Sequence, residues 1–271
     1  MKRSLPLRVG VGTVSALAAL VWIAPYLWMV STSLKTLPEI LRAPTAPLPA
    51  RVDLGAYREA FNALPVGRYM AISTAVALTI ALVQIALALP AGYALAKLRF
   101  VGRETAFGLV LACLLVPAQV TFVPVFVMFA RVGLVNTAAA LIVPFAASAL
   151  GTFMVRQALL SVPDEIIEAA RMDGASELTL IYRILGPIVT PTLASLFLIS
   201  FVFHWNDYFW PLVMTTDDTV RTLPLGVALL REQGTGVRWH IVMAGNVILS
   251  LPPLALFALA QRHLLRAVGG R

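Results

Sequence analysis

The 271-residue chain is 59% hydrophobic and 13% charged, with a formal charge of +8 and a single cysteine. An ordinary soluble domain carries about 25% charged residues, and the placement of the charges departs further from that class. Six uncharged intervals of 23–28 residues separate Arg8 from Lys35, Arg68 from Lys97, Glu104 from Arg131, Arg131 from Arg156, Arg183 from Asp207 and Arg238 from Arg262, while the other 121 residues hold all 34 charges.

A bilayer core about 30 Å thick is crossed by roughly 20 apolar residues in a helix. Each interval meets that length, so the sequence predicts an all-α polytopic membrane protein with six transmembrane helices. The spans lie near 9–31, 70–96, 105–129, 137–156, 186–207 and 240–262, in a single transmembrane domain over 1–271. Continuous apolar runs do not fit the short alternating strands of a membrane β-barrel.

The first span follows Lys2, Arg3 and Arg8. It is longer than the apolar region of a signal peptide and is read as retained. Residues 35–68 contain Pro38, Pro44, Pro47 and Pro49, which predicts an irregular connection followed by a short helix around Leu54 to Ala63. A short turn at 97–104 follows the second span. The third span holds Cys113, Pro117, Gln119 and Pro124; the fourth holds Pro144 and Gly151. Cys113, being alone, forms no intramolecular disulfide and reads as a small packing residue. Gly92, Gly151 and Gly245 suit close helix approach.

Between the fourth and fifth spans, residues 161–187 read as two short helices. Ser161 with Asp164 resembles a capping box over Pro163. The first helix carries Glu165 to Met172, with Ala169 and Ala170 forming a low-relief side. Gly174 suits a left-handed terminating position, Ser176 starts the second helix, and that helix runs towards Pro187. Such an element serves either as a rigid grip for another protein or as an amphipathic helix on the headgroups.

The fifth span ends in His204, Trp205, Asn206, Asp207, Tyr208 and Trp210, a set that suits a sugar-binding platform or an interfacial aromatic belt. Residues 207–238 form a polar connection, and the sixth span carries Gly245, Asn246, Pro252 and Pro253. With the N-terminus inside, Lys and Arg make up 12 of 54 inside residues against 9 of 67 outside, as the positive-inside rule requires. That orientation puts both termini in the cytoplasm. The basic excess sits at span ends, facing headgroups, and calls for no nucleic acid.

Glu168-Ala169-Ala170, Asp173-Gly174-Ala175, Ile184 and Pro187 resemble, in type and spacing, the EAA loop of permease subunits in binding-protein-dependent ABC importers. Trp28 to Lys35, Phe153 to Gln157, Trp205 to Leu212, Leu223 to Gly226 and Gln261-Arg262 are similar to the carbohydrate-uptake branch, in particular the maltose-type second permease. The resemblance implies a type I importer permease fold in the bacterial inner membrane and alternating-access import of a sugar or oligosaccharide. It also implies ATPase coupling through Glu168, Ala169, Ala170, Asp173, Gly174, Ala175 and Pro187. The implied partners are a second, different permease, two ATP-binding subunits and an extracytoplasmic substrate-binding protein that touches residues 212–238.

No G-x-x-x-x-G-K-[ST] motif is present, so ATP and magnesium belong to the partner subunits, and the chain itself is expected to hold no cofactor or metal and to catalyse nothing. Gln84, Gln119, Asn206, Tyr208 and Asn246 are the candidate translocation-pathway residues. Three departures from the family stand out: Gly186 precedes Pro187 where leucine is common, the tail after Arg266 is short, and Asn246 stands where small apolar residues are usual. A non-sugar solute is the alternative cargo. An ion-coupled secondary carrier is the alternative class, but the six intervals lack the ionisable groups such carriers use.

Overall fold

A computed structural model describes the backbone of residues 5–231 and 238–269. Among these there are helices and no strands. They form two compact units, one of the chain up to Gly67 with Gly226–Leu251, the other of Arg68–Leu225 with the chain from Pro252.

In the first unit, the most apolar stretch of helix α1 (Leu5–Ser33) is not buried inside the chain, whereas Ser31, Thr32 and Ser33 at its end are. A helix apolar on every side belongs among lipid or partner helices. Only its C-terminal end is covered. The Ser31 hydroxyl donates to the Pro47 carbonyl at 2.6 Å, Ser33 Oγ lies 2.7 Å from the Tyr57 hydroxyl, and the Lys35 ammonium donates to the Ala46 carbonyl. Lys35 also lies 5.4 Å from the Trp28 ring, so this buried amine is held by an acceptor and an aromatic face. The proline-rich connection is irregular as expected, apart from α2 (Leu37–Arg42), and leads into α3 (Gly55–Ala63), within a residue of the expected helix.

The second unit is organised on α4 (Val66–Lys97), a 32-residue helix that runs through Pro90. After the 97–104 turn come α5 (Arg103–Cys113) and α6 (Ala118–Arg131). The expected single helix over 105–129 is therefore broken. Pro117 has no N–H to donate and drives the residue before it out of the helical region, so α5 unwinds through i→i+3 bonds from Leu114, Leu115 and Val116. Cys113 is exposed at that break rather than packed.

Then follow α7 (Ala138–Ile142), a 3₁₀ turn at Val143–Phe145, and α8 (Ala149–Leu160), bent 41° across the gap. The segment α9 (Asp164–Met172), α10 (Glu177–Thr179), a π-helical turn at Leu180–Leu185 and α11 (Gly186–Ile188) leads to α12 (Thr190–Trp205), with an 85° bend before α12. Next are α13 (Phe209–Met214), α14 (Leu223–Leu229) and α15 (Trp239–Gly269).

By length and composition, Gly12–Ser33, Val66–Lys97 and Trp239–Gln261 are continuous candidate spans, and the two bent pairs raise the number to five. The third expected crossing differs: its two halves are too short to qualify, for the backbone reason given at Pro117.

Two apolar clusters hold the second unit. Val76, Ile80, Phe129, Ala140, Leu141, Trp210 and Met214 join the first half of α4 to α6, α7 and α13. Leu89, Tyr93, Ala96, Val155, Leu159, Ile167, Ala170, Leu180, Leu185 and Leu196 join its second half to α8, α9, the π turn and α12. Gly92 permits the α4–α8 approach: a Cβ there would sit 2.6 Å from Val155 Cγ1 and 2.9 Å from the backbone nitrogen of Arg156. Gly151 faces Leu196 and Gly245 faces Val227 and Leu230 in the same way, as the sequence suggested.

Because the backbone nitrogen at Arg156 has nowhere to retreat, Gly92→Leu should destabilise the purified protein by about 1–3 kcal/mol, the cost of overpacking. A thermal midpoint in detergent equal to that of wild type would refute this close approach.

Candidate coupling site

Helix α8 ends at Leu160, and the Ser161 hydroxyl turns back to donate to the Ala158 carbonyl at 2.7 Å. Ser161 therefore closes α8 and does not cap α9, contrary to the capping box expected from sequence. Pro163 occupies the cap position in extended conformation (φ −60°, ψ 141°) with no side-chain cap bond. Asp164 and Glu165 stand in the first turn, where the helix dipole favours carboxylates.

The Lys97 ammonium, at the end of α4, donates to Asp164 Oδ1 and to the Val162 carbonyl, each at 2.6 Å. That ammonium holds the Asp164 carboxyl below the usual carboxylate range.

Ile167 and Ala170 are the buried face of α9. Glu165, Ile166, Glu168, Ala169, Arg171 and Met172 are exposed. The two alanines thus do not share a side: adjacent residues are about 100° apart on a helix, so Ala170 packs inward and Ala169 outward.

The helix ends in a Schellman motif. The amide of Ala175 donates to the Ala170 carbonyl and that of Gly174 to the Arg171 carbonyl, both at 3.0 Å, with Gly174 at φ +78°. Nothing lies within 4 Å of where its Cβ would be. Gly174 is required by the backbone's hand and not by crowding within this chain. Asp173 is exposed, and Ala175 is half-buried against the core. Ser176 caps the next turn by accepting from the Thr179 amide at 3.3 Å.

Three residues tie this turn to α4. The Tyr93 hydroxyl donates to Glu177 Oε2 at 2.8 Å and accepts from Arg171 Nη2 at 2.8 Å. Arg171 also donates to Glu177 Oε1 at 2.9 and 3.2 Å. Beyond lie the π turn, buried Gly186 and exposed Pro187. Pro187 and Pro191 both lack a helix donor, and the backbone breaks at Val189 between them.

Sequence reasoning missed an apolar rim on this element: Met172 is 84% exposed, Leu178 69%, and Tyr182 and Ile166 are also exposed. Their signal was available, since Ile166, Met172 and Leu178 fall off the face defined by Ile167 and Ala170. Apolar residues left facing outward beside carboxylates mark a surface for a protein partner or for the membrane headgroups.

The pathway candidates differ in burial and in bonding. Gln84 is buried in α4, donating to the Phe145 carbonyl at 2.8 Å, with His204 Nε2 at 3.4 Å. Gln119, Asn206 and Tyr208 are exposed, and Asn206 donates to the Val202 carbonyl of its own helix. Asn246 is half-buried and likewise donates to Val242 of its own helix.

The aromatic set at the end of α12 is neither a platform nor a belt as a whole. Trp205 is fully buried, and Trp210 is buried with its Nε1 donating to the Ala140 carbonyl at 2.9 Å and its ring edge-on to Phe145. Large rings find more contact inside a helical bundle than at its edge. Within the 212–238 segment, residues 232–237 lie outside those described. Its earlier part is clamped by Asn136, which donates to Asp217 Oδ2 at 2.7 Å and accepts from the Thr216 amide at 3.0 Å.

Residues 88–270 match the model of the family described as binding-protein-dependent transport system inner membrane component. The chain belongs to that family. This permease is 32% identical over 85% of its length, and 84% of the relative's, to the sn-glycerol-3-phosphate transport system permease protein UgpE of Pectobacterium atrosepticum. It is 33% identical to the protein of that name in Escherichia coli, covering 76% of this chain and 74% of the other.

The fold matches a chain of a bacterial ABC transporter involved in the import of the acidic polysaccharide alginate, with a TM-score of 0.83, 21% identity and 97% and 98% coverage of the two chains. The permease is thus an all-helical, non-catalytic membrane component of an ABC transport system, and the family match includes the whole 161–187 element.

A lowered folded-state value for Asp164 means that its contribution to stability is complete above the ordinary carboxylate value, about 3.9, and fades as pH falls below it. The difference in thermal midpoint between wild type and Asp164→Asn should stay constant from neutral pH down to about pH 5 and shrink towards pH 3.5. A difference that widens on acidification would contradict the Lys97 contact.

Proposed function

We propose that this permease is one transmembrane half of an ATP-driven, binding-protein-dependent importer, moving a sugar, oligosaccharide or sugar-like solute across the bacterial inner membrane by alternating access. The observation that carries the reading is the α9 element. Its inner face is packed on the permease's own core, and its outer face, with Glu168, Ala169, Met172 and Asp173, is open to another protein.

In this reading residues 161–187 seat in a cleft of an ATPase subunit on the cytoplasmic side, both termini are cytoplasmic, and a single domain of six crossings pairs with a second, different permease. ATP and magnesium are held by two partner ATPases, consistent with the missing phosphate-binding loop. An external binding protein delivers cargo near the 212–238 segment. Closing of the ATPase dimer pushes α9, and the bundle rocks from inward- to outward-facing.

The uncharged spans give an ion-coupled carrier no site at which to hold its driving ion. A second cargo class, small polyol phosphates, is favoured by the names of the relatives in Pectobacterium and Escherichia. The cargo test is binding of candidate sugars and glycerol phosphate to the accompanying binding protein. The coupling test is vanadate-sensitive uptake in vesicles containing the co-purified ATPase; vanadate-insensitive, ion-gradient-driven uptake would overturn the assignment.

The terminating glycine gives a graded test. A left-handed residue costs a branched side chain about 1–2 kcal/mol and asparagine less. Gly174→Val should therefore abolish transport while the protein still inserts, and Gly174→Asn should retain most of it. Equal loss with both variants would point to crowding by the partner rather than to backbone hand, and full activity of Gly174→Val would remove this turn from the coupling element.

A further inference from the structure

The π turn and the 85° break at Val189 interrupt the direct covalent route from the α9 element to α12. The element is instead fastened to a helix far from it in sequence. At its N-terminal end Lys97 bonds both Val162 and Asp164. At its C-terminal end Tyr93, Arg171 and Glu177 form a closed cycle of hydrogen bonds spanning α4, α9 and α10.

Tyr93 and Lys97 stand four residues apart, on one side of the last turns of α4. Between the two fastenings, Tyr93 and Ala96 share a core cluster with Ile167 and Ala170. The same stretch of α4 is joined to α8 by Gly92 against Val155 and by Arg156 Nε donating to the Leu95 carbonyl at 3.3 Å. Further along, the Tyr182 hydroxyl donates to the Ala86 carbonyl at 2.8 Å.

We infer that Tyr93, Arg171 and Glu177, with Lys97, are positioning residues that lock the coupling element to α4, so that the displacement delivered at α9 enters the bundle through α4 rather than through α12. The inference rests on the ATPase-docking reading above. Mechanically, a push on an element passes to whatever it is rigidly joined to. Two polar fastenings flanking an apolar contact leave α9 no freedom to pivot against α4, whereas α12, beyond the proline-flanked break, joins the same cluster through apolar packing at Leu196. Tyr93 is the pivotal group, because its single hydroxyl both donates to Glu177 and accepts from Arg171; phenylalanine there preserves the buried ring and removes only this bridge.

The test uses the complete transporter reconstituted with its ATPase subunits and binding protein. Tyr93→Phe and Glu177→Gln should still assemble, and basal ATP hydrolysis should match wild type in Tyr93→Phe, which lies on α4 outside the docking element. Substrate carried per ATP hydrolysed should fall about tenfold, the scale set by losing a charge-assisted hydrogen bond. The exchange Arg171→Glu with Glu177→Arg should restore much of what either substitution loses alone.

Spin labels at exposed positions Met172 and Val101, in a Cys113→Ser background, supply a readout independent of transport. Their distance distribution should be narrow in the otherwise unaltered chain and broaden in Tyr93→Phe. A broadened distance with unchanged transport per ATP would overturn the inference, as would an unchanged distance. If the wild-type complex protects neither Met172 nor Glu168 when the ATPase binds, the docking reading itself fails, whatever the labels report.

Discussion

The inner face of a nine-residue helix, Ile167 and Ala170, has to find apolar cover while the rest of that helix stays outside the bundle. The cover comes from the last turns of α4 and from α8, and much of the neighbouring geometry follows from that requirement. Gly92 is small because α8 must come close enough to complete the same cluster. Gly174 is left-handed because the chain must reverse at once to bring Leu180 and Leu185 back onto it. The Tyr93–Arg171–Glu177 cycle satisfies polar groups that this reversal brings together beside the apolar contact. An isolated helix so short would be marginal in water, so its shape is maintained by what lies beneath it.

Among the described residues the ion pairs lie in connections, in the short α3 and at helix ends, outside the long uncharged stretches. That division suits a machine whose energy arrives by contact. A carrier driven by an ion gradient keeps its titratable groups at membrane depth, where their charge state alters the fold. Here Gln84, a polar group at depth, is neutral and donates to the Phe145 carbonyl, so no bare charge stands at that point.

Part of the fold was legible from the spacing of charges, because lipid imposes a length on a crossing: three of the expected spans are continuous apolar helices and two more are bent pairs. The two short helices at 161–187, the left-handed Gly174 and the cap at Ser176 followed from local backbone chemistry. The sequence was less informative where two local signals competed. Ser161 had two nearby uses, ending one helix or starting the next, and Pro163 made the second unnecessary. Hydropathy over 105–129 is unbroken, but Pro117 overrides it, since apolar composition cannot replace a missing backbone donor. Trp205 and Trp210 were assigned to a surface by their chemistry, whereas the bundle had room for them inside. The pathway residues were the least legible, because a lone amide in a membrane helix bonds its own backbone as readily as it faces a solute.

The length of α4 has a consequence for the environment in which this protein works. Its 32 residues extend about 48 Å at 1.5 Å per residue, and an average 20° tilt still leaves about 45 Å to fit across a hydrocarbon layer of about 30 Å. The surplus projects into the headgroup zone, and Lys97 is the last residue of the helix. There its nearly buried ammonium is held by the Val162 carbonyl and by Asp164, whose exposed carboxylate meets dissolved salt. Ionic strength therefore bears on how this element is held, because salt screens the exposed carboxylate that closes one of its two polar contacts with α4.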